Sequence, residues 1–332
     1  MKTRIPVIAM IMLITTALSA QQEFKPYKIQ KSIPVSGNGF WDYLAYDNTT
    51  NRVFVSHGDC IQVIDVKTGM QEGVINHTPG VHGIALVYVF GKGFISAGKI
   101  DSVIVFDLNT YEVTGKIATG KNPDAILYDS FSDRVFVCNA RGNSITVISA
   151  GSNEVVGTVP LRGNPEYAAT DYNGNIFVNI ENIGMVSQID AMTLGFKGMF
   201  SLGAGTEPTG LAIDIPNNRL FCGCSGTNEL VVLNITSSEV VARIPIGRHC
   251  DGVSYLPSRK EVFTSNGEGT LTVISQDSPD HYSKAQTLVT KRGARTLTLD
   301  HAGQTLFLPT AEYNDEKKEN NKDSFQLLVV SR

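Results

Sequence analysis

The feature that most constrains the fold is an internal repeat of 40 to 44 residues. Each repeat places one phenylalanine within a short apolar run, at Phe54, Phe94, Phe136, Phe177, Phe221, Phe263 and Phe307. Periods of roughly 20 to 50 residues are typical of solenoids and propellers. Because the seven units account for nearly the whole chain, the repeat predicts one continuous architecture rather than several domains.

Each repeat contains four strand-like segments. The first closes on an acidic residue, as in LAYD ending at Asp47, and is followed by Asn, Gly, Pro or Ser residues that favour tight turns. The phenylalanine strand comes next, then a β-branched run such as VIVFD to Asp107 and a more polar segment such as VTGKI to Ile117. Four antiparallel strands make a propeller blade. We therefore predict an all-β, seven-bladed β-propeller, almost without helix.

The seventh repeat contains only three strands before Arg332. The segment KSIPVSG, residues 31–37, has the same form as the fourth-strand segments GTVPLRG at 157–163 and ARIPIG at 242–247. We therefore predict that residues 27–35 complete the last blade as its fourth strand. This pairing would close the ring and leave no open sheet edge.

The N-terminus has the form of a secretory signal peptide. Lys2 and Arg4 precede an apolar run from Ile5 to Leu18, and small residues follow. We expect residues 1–20 to direct export to the periplasm or the medium, and residues 21–332 to form one domain. The apolar run is shorter than the roughly 20 residues that a membrane span needs, so no transmembrane anchor is expected.

Composition disfavours several classes of partner and chemistry. Without Lys2 and Arg4 the chain has 26 basic against 32 acidic residues, so nucleic acid is an unlikely partner. The single Trp41 argues against an eight-bladed quinoprotein ring. Motifs for a serine nucleophile elbow, a zinc protease, a haem attachment site and a phosphate loop are missing. A binding protein is therefore favoured over an enzyme.

The polar residues of two loop classes indicate a site. In a propeller, the loops from fourth to first strand and from second to third strand share one face around the central channel. A ligand of this channel mouth would meet these two loop classes and not the loops of the opposite face. The residues predicted to bind it are Trp41, Asp42, His57, His82, Asp124, Glu166, Glu207, Asp251, Arg295 and Glu312.

Two histidines are candidates for a metal site at this face. His57 ends the second strand of unit 1 and His82 opens the first strand of unit 2, so they are expected to be neighbours. With Asp42, Asp124 or Glu312 they can supply nitrogen and oxygen ligands to a divalent ion. The alternative is that both imidazoles hydrogen-bond the channel-lining backbone. No cofactor follows firmly from the sequence, and a divalent metal is the one candidate.

Cysteines offer a second candidate cluster. The chain has five, an odd and sparse set that forms no disulfide framework. Cys224, His249 and Cys250 fall near one another in units 5 and 6. They suit a soft metal such as copper, a disulfide between Cys224 and Cys250 in an oxidising compartment, or buried thiols without a role.

Residues 312–323, EYNDEKKENNKD, form a charged insertion in the last loop between second and third strands. Such a composition favours a solvated segment. The alternative is a lid over the channel mouth, because this loop belongs to the same face.

Several segments resemble the exported YVTN-type, or YncE-like, β-propeller repeat family. They are SHG at 56–58, PGVHGIA at 79–85, GKNPDAI at 120–126, EPTGLAID at 207–214, SNGEGTLTVI at 265–274, RGARTLTLD at 292–300 and PTAEY at 309–313. The resemblance implies a seven-bladed propeller outside the cytoplasm. It carries over no catalytic residue, because the family has no single agreed reaction.

Three functions compete. The favoured one is a monomeric binding or scaffold protein that takes a small molecule, peptide or protein at the channel mouth. The second is a hydrolase or lactonase, in which His57 or His82 acts as metal ligand or base. The third is an oxidoreductase accessory protein with copper at Cys224, His249 and Cys250.

Overall fold

The computed structural model describes residues 24–37, 39–314, 319–321 and 323–332. The expected signal peptide, residues 1–20, lies outside the described residues. Seven four-stranded antiparallel sheets are arranged as the blades of a β-propeller, which confirms the predicted fold class. Within a blade, the strands are called a to d from the channel outward. Strands a of successive blades contact one another around the axis.

Strand β1 (Lys28–Pro34) precedes blade 1 in the chain. Blade 1 consists of β2 (Trp41–Asp47), β3 (Arg52–His57), β4 (Cys60–Asp65) and β5 (Gln71–Ile75). Blade 2 consists of β6 (Val81–Val87), β7 (Lys92–Ala97), β8 (Ser102–Asp107) and β9 (Val113–Ala118). Blade 3 consists of β10 (Pro123–Asp129), β11 (Arg134–Asn139), β12 (Ser144–Ser149) and β13 (Val155–Pro160). Blade 4 consists of β14 (Pro165–Thr170), β15 (Asn175–Ile180), β16 (Met185–Asp190) and β17 (Phe196–Ser201). Blade 5 consists of β18 (Pro208–Asp214), β19 (Arg219–Cys224), β20 (Glu229–Asn234) and β21 (Glu239–Pro245). Blade 6 consists of β22 (Cys250–Leu256), β23 (Glu261–Asn266), β24 (Thr270–Ser278) and β25 (His281–Val289).

Blade 7 is assembled from both ends of the chain. It contains β26 (Thr298–Asp300), β27 (Thr305–Thr310), β30 (Gln326–Ser331) and β1, in that order. A small separate hairpin pairs β28 (Tyr313–Asn314) with β29 (Glu319–Asn320). Helical structure in the described residues is confined to three 3-10 turns, Tyr88–Phe90, Gly98–Ile100 and Glu181–Ile183.

The periodic phenylalanines form the packing between blades. All seven lie on strand b and are almost completely buried. Each belongs to a different apolar cluster, and each of the seven clusters joins one blade to the next, with Phe307 joining blade 7 to blade 1. Burying one such side chain stabilises the fold by about 1.5–3 kcal/mol. The repeat in the sequence is therefore a repeat of interfaces.

The predicted closing strand is present. β1 pairs antiparallel with β30, and Ile33 lies opposite Leu327. Just before this strand, the buried Tyr27 packs edge-on against Phe263 of blade 6 and its hydroxyl donates a 2.7 Å hydrogen bond to Glu261. The N-terminal segment therefore completes blade 7 and also fastens it to blade 6.

Acidic residues at the ends of strands a and c accept hydrogen bonds from the backbone of the turns that follow. Asp65 Oδ1, for example, accepts hydrogen bonds of 2.8 Å from the backbone N–H groups of Lys67 and Thr68. These bonds account for such acids by local turn geometry alone. Among the described residues, none of the helical segments has the length and apolarity that a membrane crossing requires.

Candidate functional site at the channel mouth

Backbone hydrogen bonds show that the two predicted loop classes share one face. In blades 1 to 6, an N–H just after strand b donates to a carbonyl of the loop that precedes strand a, at 2.7 to 3.0 Å. The donor and acceptor pairs are Gly58 and Phe40, Gly98 and Gly80, Ala140 and Asn122, Glu181 and Asn164, Ser225 and Glu207, and Gly267 and His249. The polar loop residues therefore converge on one end of the channel, here called the channel mouth.

A repeated irregularity in strand a turns one side chain per blade into this mouth. In six blades the pairing of strands a and b shifts register directly after the first residue of strand a, for example between Pro123 and Ile126 and between Pro208 and Gly210. A β-bulge bends the strand and re-aims the residue that it contains. The second residue of each strand a is that residue.

These positions form what we call the channel ring. Its members are Asp42, His82, Asp124, Glu166, Thr209, Asp251 and Arg295, one from each blade. Arg295 holds the corresponding place in blade 7, where regular strand begins only at Thr298. The ring thus combines four carboxyl groups with one guanidinium and one imidazole.

His82 lies between two carboxyl groups of neighbouring blades. Its Nδ1 is 2.7 Å from Oδ2 of Asp42 and 3.6 Å from Oδ1 of Asp124. Among the described residues, these three are the one group of His, Cys, Asp or Glu whose ligand atoms all lie within 4.8 Å of one another. The Oδ1 atom of Asp124 is buried and accepts no hydrogen bond within the described chain.

Arg295 closes the ring between blades 6 and 1. Its Nε donates to Oδ2 of Asp251 at 2.6 Å, and its second terminal nitrogen lies 3.3 Å from Oδ1 of Asp42 and 3.0 Å from the Trp41 carbonyl. The guanidinium also stacks over Phe40, 4.5 Å from the ring centroid. This one cation is shared between two carboxylates, so it neutralises only part of the acidic charge.

Tyr43 crosses the channel below the ring. It starts from blade 1, packs with Ala125 and Ala168 of blades 3 and 4, and its hydroxyl donates to Glu166 at 3.4 Å. Its ring lies 5.2 Å from that of Tyr167. Beyond this barrier, a cavity of about 440 Å³, lined by apolar and tyrosine side chains of strands a, opens toward the opposite face. Tyr43 therefore links blade 1 to blades 3 and 4 across the channel.

Burial raises the pKa of three ring carboxyl groups, those of Asp124, Glu166 and Asp251. Burial, and after it the charges of Asp42 and Asp251, raises the pKa of Asp124 well above its ordinary value. Burial and then Asp124 do the same to the pKa of Glu166. Burial raises the pKa of Asp251 to about 6, even though Arg295 opposes that shift. These directions have one physical cause, which is negative charge crowded into a site poor in water.

The remaining predicted residues lie outside the ring. Trp41 is buried, and its Nε1 donates a 3.1 Å hydrogen bond to the Gly293 carbonyl. Glu207 is exposed at the rim, and Glu312 pairs with Lys291 at the outer edge. Their part in ligand binding stays a prediction.

His57 does not belong to the group of possible metal ligands formed by Asp42, His82 and Asp124. Its ring stacks on Phe325 at 3.9 Å and lines a different cavity of about 240 Å³. Backbone groups of Ser36 and Gly39 contact the imidazole, and burial lowers its pKa. These contacts fit the alternative in which this histidine hydrogen-bonds the backbone, and its Nε2 is buried without a hydrogen-bond partner in the described residues.

The cysteine cluster does not assemble with its histidine. All five cysteines are free thiols in the structure, so Cys224 and Cys250 are not bridged. Both are buried, which raises the pKa of each thiol, that of Cys224 to about 12. A thiol that resists ionisation is a poor metal ligand. His249 is exposed and belongs to no metal-ligand group in the described chain.

Two residues of the mouth escaped the sequence analysis. The sequence analysis named Glu207 where the structure places Thr209 in the ring. The sequence does contain a signal for this position, because Asp124, Glu166 and Thr209 each directly follow a proline. Tyr43 has no such signal, because only blade 1 carries a side chain across the channel. For the 312–323 insertion, the structure describes the β28–β29 hairpin, and residues 315–318 and 322 lie outside the described part. The lid stays a prediction.

Comparisons with known proteins agree with this fold. No family model matches the chain. Two curated relatives, both called uncharacterized protein YncE, come from Salmonella typhi and Salmonella typhimurium and are 23% identical over 235 residues. The match covers 70% of this chain and 53% of each relative, so the chain spans about half the length of the curated relatives that it matches.

Solved structures with the same fold are much more distant in sequence. The WD40 repeats of RRP9 superpose with a TM-score of 0.78 at 10% identity, covering 91% of this chain and 97% of that one. A chain of the mitotic checkpoint complex gives 0.77 at 13% identity, covering 97% and 99%. At these identities the likeness shows the fold alone. Together with the curated relatives, it supports a β-propeller that is similar in sequence to the YncE proteins.

Proposed function

We propose that this protein is a non-catalytic binding protein whose channel mouth takes a positively charged group of a small molecule, peptide or protein. The supporting observation is the imbalance of the channel ring. Asp42, Asp124 and Asp251 pair with one guanidinium and one imidazole, and the fourth carboxyl group, that of Glu166, accepts a hydrogen bond from the Tyr43 hydroxyl. Burying carboxyl groups without enough partners costs stability. A cationic ligand would supply the missing positive charge.

The surroundings of the ring suit an amine with an apolar body. A cavity of about 680 Å³ beside His82 is lined by Phe40, Val81, Asn122 and the pair of Asp59 and Lys99, whose Nζ lies 3.0 Å from Oδ1 of Asp59. Phe40 is 59% exposed, and one face of its ring already receives the Arg295 guanidinium. Aromatic faces attract cations by about 0.5–2 kcal/mol. Acidic oxygens and an exposed aromatic ring together favour an ammonium or guanidinium ligand over an anion.

Export belongs to the same proposal. Residues 1–20 have the charge and apolar pattern of a signal peptide, which directs a protein out of the cytoplasm. N-terminal sequencing of the protein from the periplasm or the medium would support export if the chain starts near residue 20 or 21.

The binding test uses spermidine and a lysine-containing peptide as probes. At pH 7.5 and low salt we expect saturable binding by calorimetry and a rise in the melting temperature of the purified protein. Glu166→Gln should weaken binding about tenfold or more, because a hydrogen bond to a charged group contributes about 1.5–3 kcal/mol. Glu112→Gln, which makes the same substitution on an exposed turn of the opposite face, should bind like the wild type.

The proposal is wrong if neither probe binds, or if Glu166→Gln binds both as tightly as the wild type. Binding should also weaken with salt, because ions screen the long-range attraction between the approaching cationic probe and the acidic mouth. The metal-assisted hydrolase remains the alternative, and turnover of an ester or lactone by the purified protein would favour it.

A further inference from the structure

The ligand atoms of Asp42, His82 and Asp124 have the spacing of a metal site. Oδ2 of Asp42 and Oδ1 of Asp124 lie 2.7 and 3.6 Å from Nδ1 of His82, and all three atoms fit within 4.8 Å. Zinc binds nitrogen and carboxylate oxygen at about 2.0–2.2 Å, so ligand atoms around one ion are roughly 3 to 3.5 Å apart. The group therefore needs only small side-chain shifts to surround an ion.

An unsatisfied atom points to the same place. Oδ1 of Asp124 is buried without a hydrogen-bond donor, although His82 stands 3.6 Å away, which is beyond hydrogen-bonding distance. Buried polar atoms normally have a partner. Asp42 differs, because its other oxygen already faces Arg295 at 3.3 Å, as an outer-sphere contact would orient a metal-binding carboxylate.

The backbone leaves room for the imidazole. Gly98 follows strand b of blade 2, and a Cβ at this residue would lie 2.9 Å from Nε2 of His82. A side chain there would displace the ring. The three ligands themselves come from the bulges of strands a in blades 1, 2 and 3, so adjacent blades of a rigid ring set their spacing.

We infer that Asp42, His82 and Asp124 bind one divalent transition-metal ion, such as Zn²⁺ or Mn²⁺. This inference deepens the proposed binding function, since it names one cation that the channel ring takes. An imidazole nitrogen with two carboxylates suits these ions, whereas Ca²⁺ and Mg²⁺ prefer oxygen ligands alone. Three protein ligands leave further coordination positions toward the open cavity, where a donor atom of a second ligand can bind.

The test is a metal titration of the purified protein after treatment with EDTA and desalting. With Zn²⁺ at pH 7.5, calorimetry should show about one equivalent bound, as a three-ligand site requires. Ca²⁺ should bind far more weakly. His82→Gln should reduce Zn²⁺ affinity by on the order of 100-fold or more, since even outer-sphere changes cost 10- to 100-fold. His249→Gln changes a histidine of the same face outside the group, and it should keep the wild-type affinity.

Folding of each variant is checked by its circular dichroism melt without metal, and Asp124→Asn provides a second ligand variant of nearly equal volume. Zn²⁺ should raise the melting temperature of the wild type and of His249→Gln only. The inference is overturned if the wild type takes up no Zn²⁺, or if folded His82→Gln and folded Asp124→Asn both bind Zn²⁺ as tightly as the wild type does. If Zn²⁺ fails and spermidine still binds, the metal inference alone falls; if neither binds, the proposed function falls with it.

Discussion

At the scale of single residues, folding disfavours the ionised form of two acidic side chains in the channel ring, Glu166 and Asp251. Burial and neighbouring carboxyls raise the pKa of Glu166, and burial raises that of Asp251 to about 6. In the unfolded chain both groups return to their ordinary, lower values. Between the two values the folded chain binds more protons than the unfolded chain, so stability falls as pH rises through this window.

We therefore expect the melting temperature of the wild type to fall as the pH is raised from 5 to 8. Glu166→Gln removes one ionising group from the ring, so it should raise the melting temperature at pH 8, by about 2–4 °C for each kcal/mol gained, and change it little at pH 5. Thermal unfolding at both pH values measures the effect.

Glu112→Gln, on an exposed turn, should leave both melting temperatures unchanged. A lower melting temperature of Glu166→Gln at pH 8 would contradict this account of the ring. The same substitution is expected to weaken ligand binding. The wild-type Glu166 would therefore lower the stability of the protein at pH 8 and strengthen its binding of ligand.

At the scale of elements, basic residues that begin strand b fasten neighbouring blades on the face opposite the mouth. Arg134, the first residue of β11, donates from one terminal nitrogen to the carbonyls of Ala191 and Met192 in blade 4, both at 2.7 Å. Lys92 reaches the Gly151 carbonyl of blade 3 in the same way at 2.7 Å. These contacts supplement the phenylalanine clusters with directional bonds between blades.

Arg134→Met should lower the free energy of unfolding by about 1–3 kcal/mol, because it leaves two carbonyls without a charged donor and keeps the apolar stem. Urea unfolding measures the loss. Arg141→Met is the matched control, since Arg141 is exposed in a loop of the channel face and should cost less than about 0.5 kcal/mol. Equal stability of the two variants would show that the contact between blades 3 and 4 contributes nothing.

At the scale of the whole molecule, one strand from the N-terminal end decides whether the ring is closed. β1 covers the edge of β30, and Ile33 enters the core between blades 7 and 1 while Ile29 stays at the surface. An open sheet edge offers unpaired N–H and carbonyl groups to other chains. Closure therefore protects the protein from association as well as stabilising it.

Ile33→Ala should lower the free energy of unfolding by about 2–5 kcal/mol, because it opens a cavity in that core. Ile29→Ala, on the same strand, should cost less than about 0.5 kcal/mol. Deleting residues 24–35 should go further and produce oligomers or aggregates by light scattering after gel filtration. A deletion variant that remains monomeric and as stable as the full chain would contradict the role of this strand.

The sequence by itself determined the ring of blades, because the cause is local and repeated. Each phenylalanine lies in a short apolar run between turn residues, and a β-branched run follows it, so strand and core positions can be identified within one unit of about 40 residues. The closing strand was found for the same reason, since KSIPVSG matches the form of other fourth strands. Connectivity alone then put Asp42, His82, Asp124, Glu166, Asp251 and Arg295 on one face.

Only the tertiary structure decided how these side chains meet. The bulges in strand a are differences in register between two strands, and they turn Thr209 into the ring and leave Glu207 at the rim. Ring closure brings Arg295 to Asp42 and Asp251, and Tyr43 crosses to Glu166. His57 instead stacks on Phe325. Such contacts join residues of different blades, and their distances depend on the diameter and closure of the whole propeller. A local sequence pattern within one repeat cannot predict these distances.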